Sequence, residues 1–137
     1  MENMNLFTGI NYLAVVIATI VYYIIGFMWY TLLFSDLWTK ETGISMKSQG
    51  KPKVWTLIGQ FLSTLLYAFG IAIILRSFGS YGIIPGIYIS VLVTVFFVIP
   101  INSGNLFFTG KKKLFLLDVC ERALGSLVIG IILGVWK

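Results

Sequence analysis

Long apolar stretches alternate with short polar or charged stretches along the whole chain. No charged residue occurs between Glu2 and Asp36, and further apolar stretches cover residues 54–75, 84–108 and 114–136. A helix that crosses a bilayer needs about 20 mostly apolar residues, and none of these stretches has the period of two of a membrane β-barrel. The pattern predicts an all-α integral membrane bundle of four transmembrane helices, at about residues 11–34, 54–75, 84–108 and 114–136, within a single domain of residues 1–137.

Lysines concentrate in two of the three predicted loops. The loop of residues 36–53 contains Lys40, Lys47, Lys51 and Lys53, the third loop contains Lys111, Lys112 and Lys113, and the other side has only Arg76 and Lys137. Loops rich in lysine and arginine stay in the cytoplasm. We therefore expect a multi-pass protein of the cell membrane with both lysine-rich loops in the cytoplasm and both termini outside. The N-terminus lacks the basic region of a cleaved signal peptide, so the first helix is expected to be retained.

The composition excludes several classes of protein. Of the 137 residues, 58% are hydrophobic and 11% are charged, whereas a soluble domain has about 25% charged residues. The net charge of +5 resides in short loops between apolar stretches, which indicates membrane orientation rather than a nucleic-acid partner. The chain has no histidine and a single cysteine, Cys120, which we expect to be buried. Without histidine, the commonest metal ligand and general base is missing, so we expect no metal, no cofactor and no enzymatic activity.

Several segments near the two ends of the chain resemble a known family of small membrane proteins. Gly26-Phe27-Met28-Trp29-Tyr30 ends the first predicted helix, and Gly130-Ile131-Ile132-Leu133-Gly134-Val135-Trp136 ends the fourth; Asn11-Tyr12-Leu13-Ala14, Asn105-Leu106-Phe107-Phe108 and Leu114-Phe115-Leu116-Leu117-Asp118 add to the likeness. The chain resembles the domain-of-unknown-function 1761 family of bacteria and archaea over nearly its whole length. This resemblance implies four helices and no assigned activity. In the family pattern a small residue and an aromatic residue follow the Asp118 position, whereas this chain has Cys120 and Glu121 there.

Three charged residues stand within five positions of the fourth predicted helix. They are Asp118, Glu121 and Arg122, and each such residue near the centre of a span costs about 2.5–3.5 kcal/mol on insertion. Asp118 and Arg122 are four residues apart and can pair on one helix face, which leaves Glu121 either protonated or paired elsewhere. Two interpretations stay open: a proton or ion relay through the two acids, and a structural salt-bridge cluster that locks the fourth helix to its neighbours or to a second subunit.

Polar residues of the other predicted helices lie at similar depths. With the cytoplasmic interface near Lys112, Phe108 and Val54, three residues lie six positions inside it, at a depth of about 9 Å: Asp118, Asn102 and Gln60. Glu121 and Arg122 lie about 14–15 Å deep by the same measure, close to the midplane. These depths predict a shared polar core of Asp118, Glu121, Arg122, Asn102, Asn105 and Gln60.

Pro100 interrupts the third predicted helix shortly before Asn102 and Asn105. Proline removes one backbone hydrogen bond of a helix. Either the interruption is a simple kink satisfied by the neighbouring Asn and Ser side chains, or it is a broken helix of the kind that forms substrate sites in transporters.

Small residues recur every four positions in the fourth predicted helix, at Ser126, Gly130 and Gly134. Such a row suits close helix packing, within the chain or between chains.

Two functions remain after these considerations. The first is an ion- or proton-coupled transporter or channel that works as a homo-oligomer, because one small bundle offers little room for a pathway. The second is an accessory membrane protein that packs against a partner through its fourth helix. The lipid bilayer is the one surrounding that the sequence indicates directly, and no small-molecule substrate is indicated.

Overall fold

The computed structural model of the chain describes residues 5–44 and 52–136, and these residues form helices joined by short turns. The helices are α1 (Tyr12–Met28), α2 (Ser35–Thr42), α3 (Val54–Phe78), α4 (Ile83–Val93), α5 (Ile99–Thr109) and α6 (Lys112–Val135). Two π-helical turns, Trp29–Leu33 after α1 and Thr94–Val98 between α4 and α5, continue the helical path. No strand occurs in the described ranges, so the prediction of an all-α chain is confirmed for them.

Three continuous helical stretches are long and apolar enough to cross a membrane. They are Tyr12–Leu33, Val54–Phe78 and Ile83–Thr109, with mean hydropathies of 2.0, 2.0 and 2.3. The fourth predicted span corresponds to α6, which has 24 residues. Its length suffices, but Asp118, Glu121 and Arg122 set its composition apart from that of the other three. Length and composition therefore establish three candidate spans.

Glycines in the left-handed region end three of the helices. Gly43, Gly79 and Gly110 follow α2, α3 and α5 with φ values of 72°, 62° and 68°. Glycine has no Cβ and adopts this conformation without steric cost, which is why it commonly terminates helices. Because Gly79 provides the stop, α3 continues three residues beyond the predicted end at residue 75.

The first lysine-rich loop is partly helical, which corrects the prediction of a loop over residues 36–53. Helix α2 occupies Ser35–Thr42, with Asp36 in its first turn and Lys40 in its last. An acid in the first turn and a base in the last turn both interact favourably with the helix dipole and stabilise the helix. This local signal is weak beside that of the long apolar stretches. Lys47 and Lys51 lie outside the described residues, as does Lys137.

Helix α6 is the centre of the bundle, and α4 is its closest neighbour. The backbone N–H of Gly82 donates to the carbonyl oxygen of Gly134 over 2.7 Å. A Cβ on Gly86 would overlap the carbonyl group of Gly130, and a Cβ on Gly130 would overlap the Ser90 hydroxyl and the Gly86 carbonyl. The small-residue row of α6 thus lies against small residues of α4, within the chain.

Apolar side chains fill one half of the bundle. Ala14, Val15 and Ala18 of α1 pack with residues of α3 and α6 in one buried cluster that also contains Ala68, Ile71, Leu75, Ile129 and Leu133. This half lies towards Gly82 and Gly134; we call its end the opposite end. The other end, where α5 meets α6 at Lys111–Lys113, is called the lysine-rich end. Many large apolar side chains cover the outside of the bundle, as expected of a surface in contact with lipid.

Candidate functional site

Each of the two acids of α6 is held by a tyrosine of the first span. The Tyr30 hydroxyl donates to Oδ1 of Asp118 over 2.8 Å, and the Tyr22 hydroxyl donates to Oε2 of Glu121 over 3.2 Å. Glu121 is only 5% exposed, whereas Asp118 is half-buried. Both carboxyl groups therefore have neutral hydroxyl partners inside the bundle, which removes them from lipid.

Glycines make room for these contacts between α1 and α6. A Cβ on Gly26 would lie 3.1 Å from Oε1 of Glu121, and a Cβ on Gly125 would overlap the ring of Tyr22. Tyr30 stands in the π-helical turn Trp29–Leu33, two residues after α1 ends at Met28. π-Helical turns are rare in proteins, and many of those that do occur lie at functional sites. The close approach of α1 to α6 and the π-helical turn together bring two tyrosines to two acids that are one helical turn apart.

A second set of hydrogen-bonded hydroxyl groups lies next to this pair, in the centre of the bundle. The hydroxyls of Tyr67 and Ser126 lie 2.5 Å apart, and the Ser126 hydroxyl donates to the carbonyl oxygen of Arg122 over 2.7 Å. The Ser90 hydroxyl is 2.6 Å from the carbonyl oxygen of Ser126. Tyr67 also lies beside Tyr22, with 6.2 Å between ring centroids. Polar contacts thus extend from the acids towards the α4–α6 contact, where the apolar half begins.

A cleft of about 260 Å³ opens beside Asp118 at the lysine-rich end. It lies between α2, α5 and α6, and its polar lining includes Asp118, Asn102, Asn105 and Lys111. Nδ2 of Asn102 donates to the carbonyl oxygen of Val98 over 2.7 Å, which leaves its Oδ1 as an acceptor. The cleft therefore connects the carboxyl group of Asp118 with the lysine-rich end of the bundle.

Arg122 is not paired with either acid in the described part of the chain. Its side chain is exposed, and neither acid forms an ion pair with it among the described residues. The salt bridge that the four-residue spacing allowed between Asp118 and Arg122 is thus replaced by the contact of Asp118 with Tyr30. Cys120, which we expected to be buried, is exposed as well.

Gln60 and Asn105 are exposed, unlike Asn102, which is 8% exposed. Gln60 lies one turn before the buried Thr64 on the same stripe of α3, but every described residue from Pro52 to Gln60 is exposed. The first two turns of α3 extend beyond the cover of the other helices, so depth alone did not predict burial there. Asn105 lines the cleft, although its side chain makes no hydrogen bond within the described ranges.

Pro100 is the second residue of α5 and follows the π-helical turn Thr94–Val98. The backbone N–H of Ile99 donates to the carbonyl oxygen of Thr94, so the helical path continues up to the proline. Asn102 and Ser103 donate to the carbonyl oxygens of Val98 and Ile99 over 2.7 Å each. The irregularity predicted at Pro100 takes the form of a widened helical turn that ends two residues earlier, at Val98.

Tyr30 is a site residue that the sequence analysis did not identify. Aromatic residues at helix ends are usually read as part of an interfacial belt, and Tyr30 stands at such an end. The sequence contains a signal for it, because Tyr22, Gly26 and Tyr30 follow one another at intervals of four. This spacing puts two tyrosine hydroxyls on one face of a helix, with a glycine that has no side chain between them. Recognising it required knowing that this face packs against α6.

Comparison with known proteins identifies the family of the chain and adds no named relative. The model of the family DUF1761, described as a protein of unknown function, matches residues 13–134. Comparisons with curated proteins and with solved structures give no match. The matched region begins in α1 and ends in α6, so it contains all the tyrosine and carboxyl contacts described above. The chain therefore belongs to the DUF1761 family.

Proposed function

We propose that this protein is a small ion-coupled membrane transporter in which Asp118 and Glu121 bind the coupling proton. The observation that carries the proposal is the arrangement of the two acids: Asp118 lines a cleft at the lysine-rich end, and Glu121 is buried one helical turn deeper. Ionisable residues within a membrane bundle commonly mark ion pathways. Because each acid has a neutral tyrosine partner rather than a basic one, either can gain or lose a proton without breaking an ion pair.

The proposal includes α6 as a fourth span. Its 24 residues reach about 36 Å, more than the roughly 30 Å of hydrocarbon. It runs back along the spanning stretch Ile83–Thr109, since Gly134 bonds to Gly82 at one end and Lys111 follows Thr109 by two residues at the other. The charges of its acids are turned towards tyrosines inside the bundle, which lowers the cost of placing them at that depth.

The proposed orientation can be tested by labelling single cysteines. In a Cys120→Ser background, Ser80→Cys and Trp136→Cys are expected to react with a membrane-impermeant maleimide on intact cells, and Lys113→Cys only after lysis. This follows if α6 spans and the lysine-rich end is cytoplasmic. Labelling of Trp136→Cys and Lys113→Cys from the same side would contradict a fourth span.

The apolar half of the bundle favours an oligomeric or two-state mechanism. The buried side chains there are apolar: Ile71, Leu75, Ile129 and Leu133. A proton that enters the bundle through the polar cleft from the lysine-rich end would find no hydrogen-bonding partner among them. A transporter needs a second arrangement or a subunit boundary to complete the path. The two π-helical turns are places where a helix can change register.

An accessory role is the competing function, and the exposed Arg122 favours it. An arginine at membrane depth on an outer face is costly unless a partner or water meets it. The small-residue row of α6, however, is occupied by α4 within the chain, so it offers no surface to a partner. We propose no enzymatic activity, since the polar cluster pairs carboxyl groups with hydroxyls and lacks a nucleophile with an adjacent base.

Proton flux into proteoliposomes tests the transport function. Asp118→Asn is expected to reduce protein-dependent flux strongly while leaving the fold intact, because asparagine still accepts a hydrogen bond from Tyr30 but carries no proton. Asp36→Asn, an exposed acid of α2, is the matched control and should retain wild-type flux. If Asp118→Asn gives the same flux as Asp36→Asn, Asp118 is not part of the pathway. If Asp118→Asn lowers the stability of the protein but leaves its flux unchanged, the accessory role is favoured.

A further inference from the structure

The cleft at the lysine-rich end is lined by one charge of each sign, and neither is in an ion pair within the described part of the chain. The Asp118 carboxyl group has the neutral Tyr30 hydroxyl as its partner. The ammonium group of Lys111 donates to the backbone carbonyl oxygen of Glu41 over 2.5 Å, which is also neutral. Neither side chain forms an ion pair among the described residues. An ammonium group has three donors and a carboxylate has two acceptor oxygens, so both can bind a further group.

The two charges lie at different depths of the same cleft. Asp118 of α6 follows Lys111, the residue just before that helix, by seven positions, which corresponds to about 10 Å at the helical rise per residue. Asn102 and Asn105 line the wall near them. The volume of about 260 Å³ is just below the range of about 300–1,000 Å³ of pockets for drug-sized ligands. A ligand that satisfies both charges is therefore small and has its own charges separated by several bonds.

We propose that this cleft binds a short zwitterion, with the ammonium group of the ligand at Asp118 and its anionic group at Lys111. The inference deepens the transport function proposed above by naming the solute class. A single cation would be repelled by Lys111 and a single anion by Asp118, whereas a zwitterion gains from both. The amide groups of Asn102 and Asn105 can donate to or accept from either end of such a ligand. The same chemistry occurs in free ω-amino acids and in the phosphoethanolamine headgroup of lipids.

Equilibrium binding to the full chain tests the proposal without requiring flux. The protein is held in nanodiscs of phosphatidylglycerol, and radiolabelled 4-aminobutyrate is the probe. Butylammonium and butyrate, which share the carbon skeleton but carry one charge each, are expected to compete at least about tenfold more weakly, equivalent to about 1.4 kcal/mol. Competition by butylammonium as strong as that by 4-aminobutyrate would overturn the assignment of Lys111.

Matched variants separate the two charges. Asp118→Asn and Lys111→Gln keep the ability to bond to Tyr30 and to the Glu41 carbonyl, and each is expected to weaken 4-aminobutyrate binding at least about tenfold, again about 1.4 kcal/mol. Lys112→Gln changes a neighbouring exposed lysine outside the cleft lining and should bind as the wild type does. Binding unchanged in Lys111→Gln, or no binding at millimolar probe, would contradict the proposal.

Adding phosphatidylethanolamine to the nanodiscs identifies the source of the zwitterion. If the lipid headgroup occupies the cleft, the added lipid will weaken probe binding, and if a free solute does, binding will not change. Either result supports a zwitterion site. If the protein binds the probe but moves no protons, the transport function is wrong and the zwitterion site stands. If it moves protons but does not bind the probe, the transport function stands and the zwitterion site is wrong.

Discussion

Replacing Gly130 with leucine is expected to prevent α4 and α6 from packing and to leave little folded protein. A Cβ at this position would already overlap the Ser90 hydroxyl and the carbonyl oxygen of Gly86. Backbone atoms of Gly86 cannot move aside without displacing α4, the closest neighbour of α6. Overpacking usually costs about 1–3 kcal/mol, and a side chain larger than a methyl group against a backbone belongs at or above the top of that range.

The thermal unfolding midpoint and the yield of monodisperse protein in detergent measure this effect. Gly70→Leu is the matched control, because Gly70 lies within the α3 span and a Cβ there meets nothing within 4 Å. It should behave as the wild type does. A Gly130→Leu variant as stable as Gly70→Leu would mean that α4 and α6 do not approach each other as described.

Replacing Glu121 with glutamine is expected to abolish proton flux while preserving the fold. Glutamine has nearly the same shape and can accept the Tyr22 hydrogen bond that Glu121 Oε2 now accepts, but it has no proton to exchange. Since Glu121 is the deepest acid of the bundle and 5% exposed, no neighbouring carboxyl group can take over its position. The flux of the variant in proteoliposomes should fall to that of protein-free vesicles.

Glu41→Gln is the control for this prediction. Glu41 belongs to α2, at the lysine-rich end, and its backbone carbonyl, which the substitution leaves in place, accepts the hydrogen bond from Lys111. The flux of this variant should equal that of the wild type. If Glu121→Gln lowers the unfolding midpoint and leaves flux per folded protein unchanged, Glu121 is structural.

The positions of the helices follow closely from the sequence, because hydrocarbon imposes length and apolarity on each span. The details at the helix ends depend on shorter signals. Gly79 ends α3 three residues beyond the predicted boundary, and Asp36 with Lys40 supports a short helix within a predicted loop. Such end effects are worth fractions of a kcal/mol and are easily overlooked beside apolar runs.

The candidate site depended on which helix faces meet, and depth along the helices does not contain that information. Gln60 and Asn102 have equal estimated depths, yet Gln60 is exposed on the uncovered first turns of α3 while Asn102 is buried on α5. The spacing of Asp118 and Arg122 allows a pair within one helix, but Asp118 bonds to Tyr30 on another element. Pairing between helices requires the packing of the whole bundle, which a single sequence does not provide.

The row Ser126, Gly130 and Gly134 predicts close helix packing but does not say which helix is the partner. A small-residue row fits any close helix, within the same chain or in a second copy. The matching small residues Gly82, Gly86 and Ser90 in α4 were the signal that could have decided the matter, since two such rows allow backbones to meet.

The central claim is that the bundle moves protons, and the initial rate of proton movement in proteoliposomes under an imposed potassium diffusion potential tests it most directly. If the bundle moves protons, the rate increases with the number of wild-type proteins per vesicle, and the direction of proton movement reverses when the sign of the potential is reversed. A rate equal to that of protein-free vesicles at every protein density, over a range of pH and ion gradients, would contradict it.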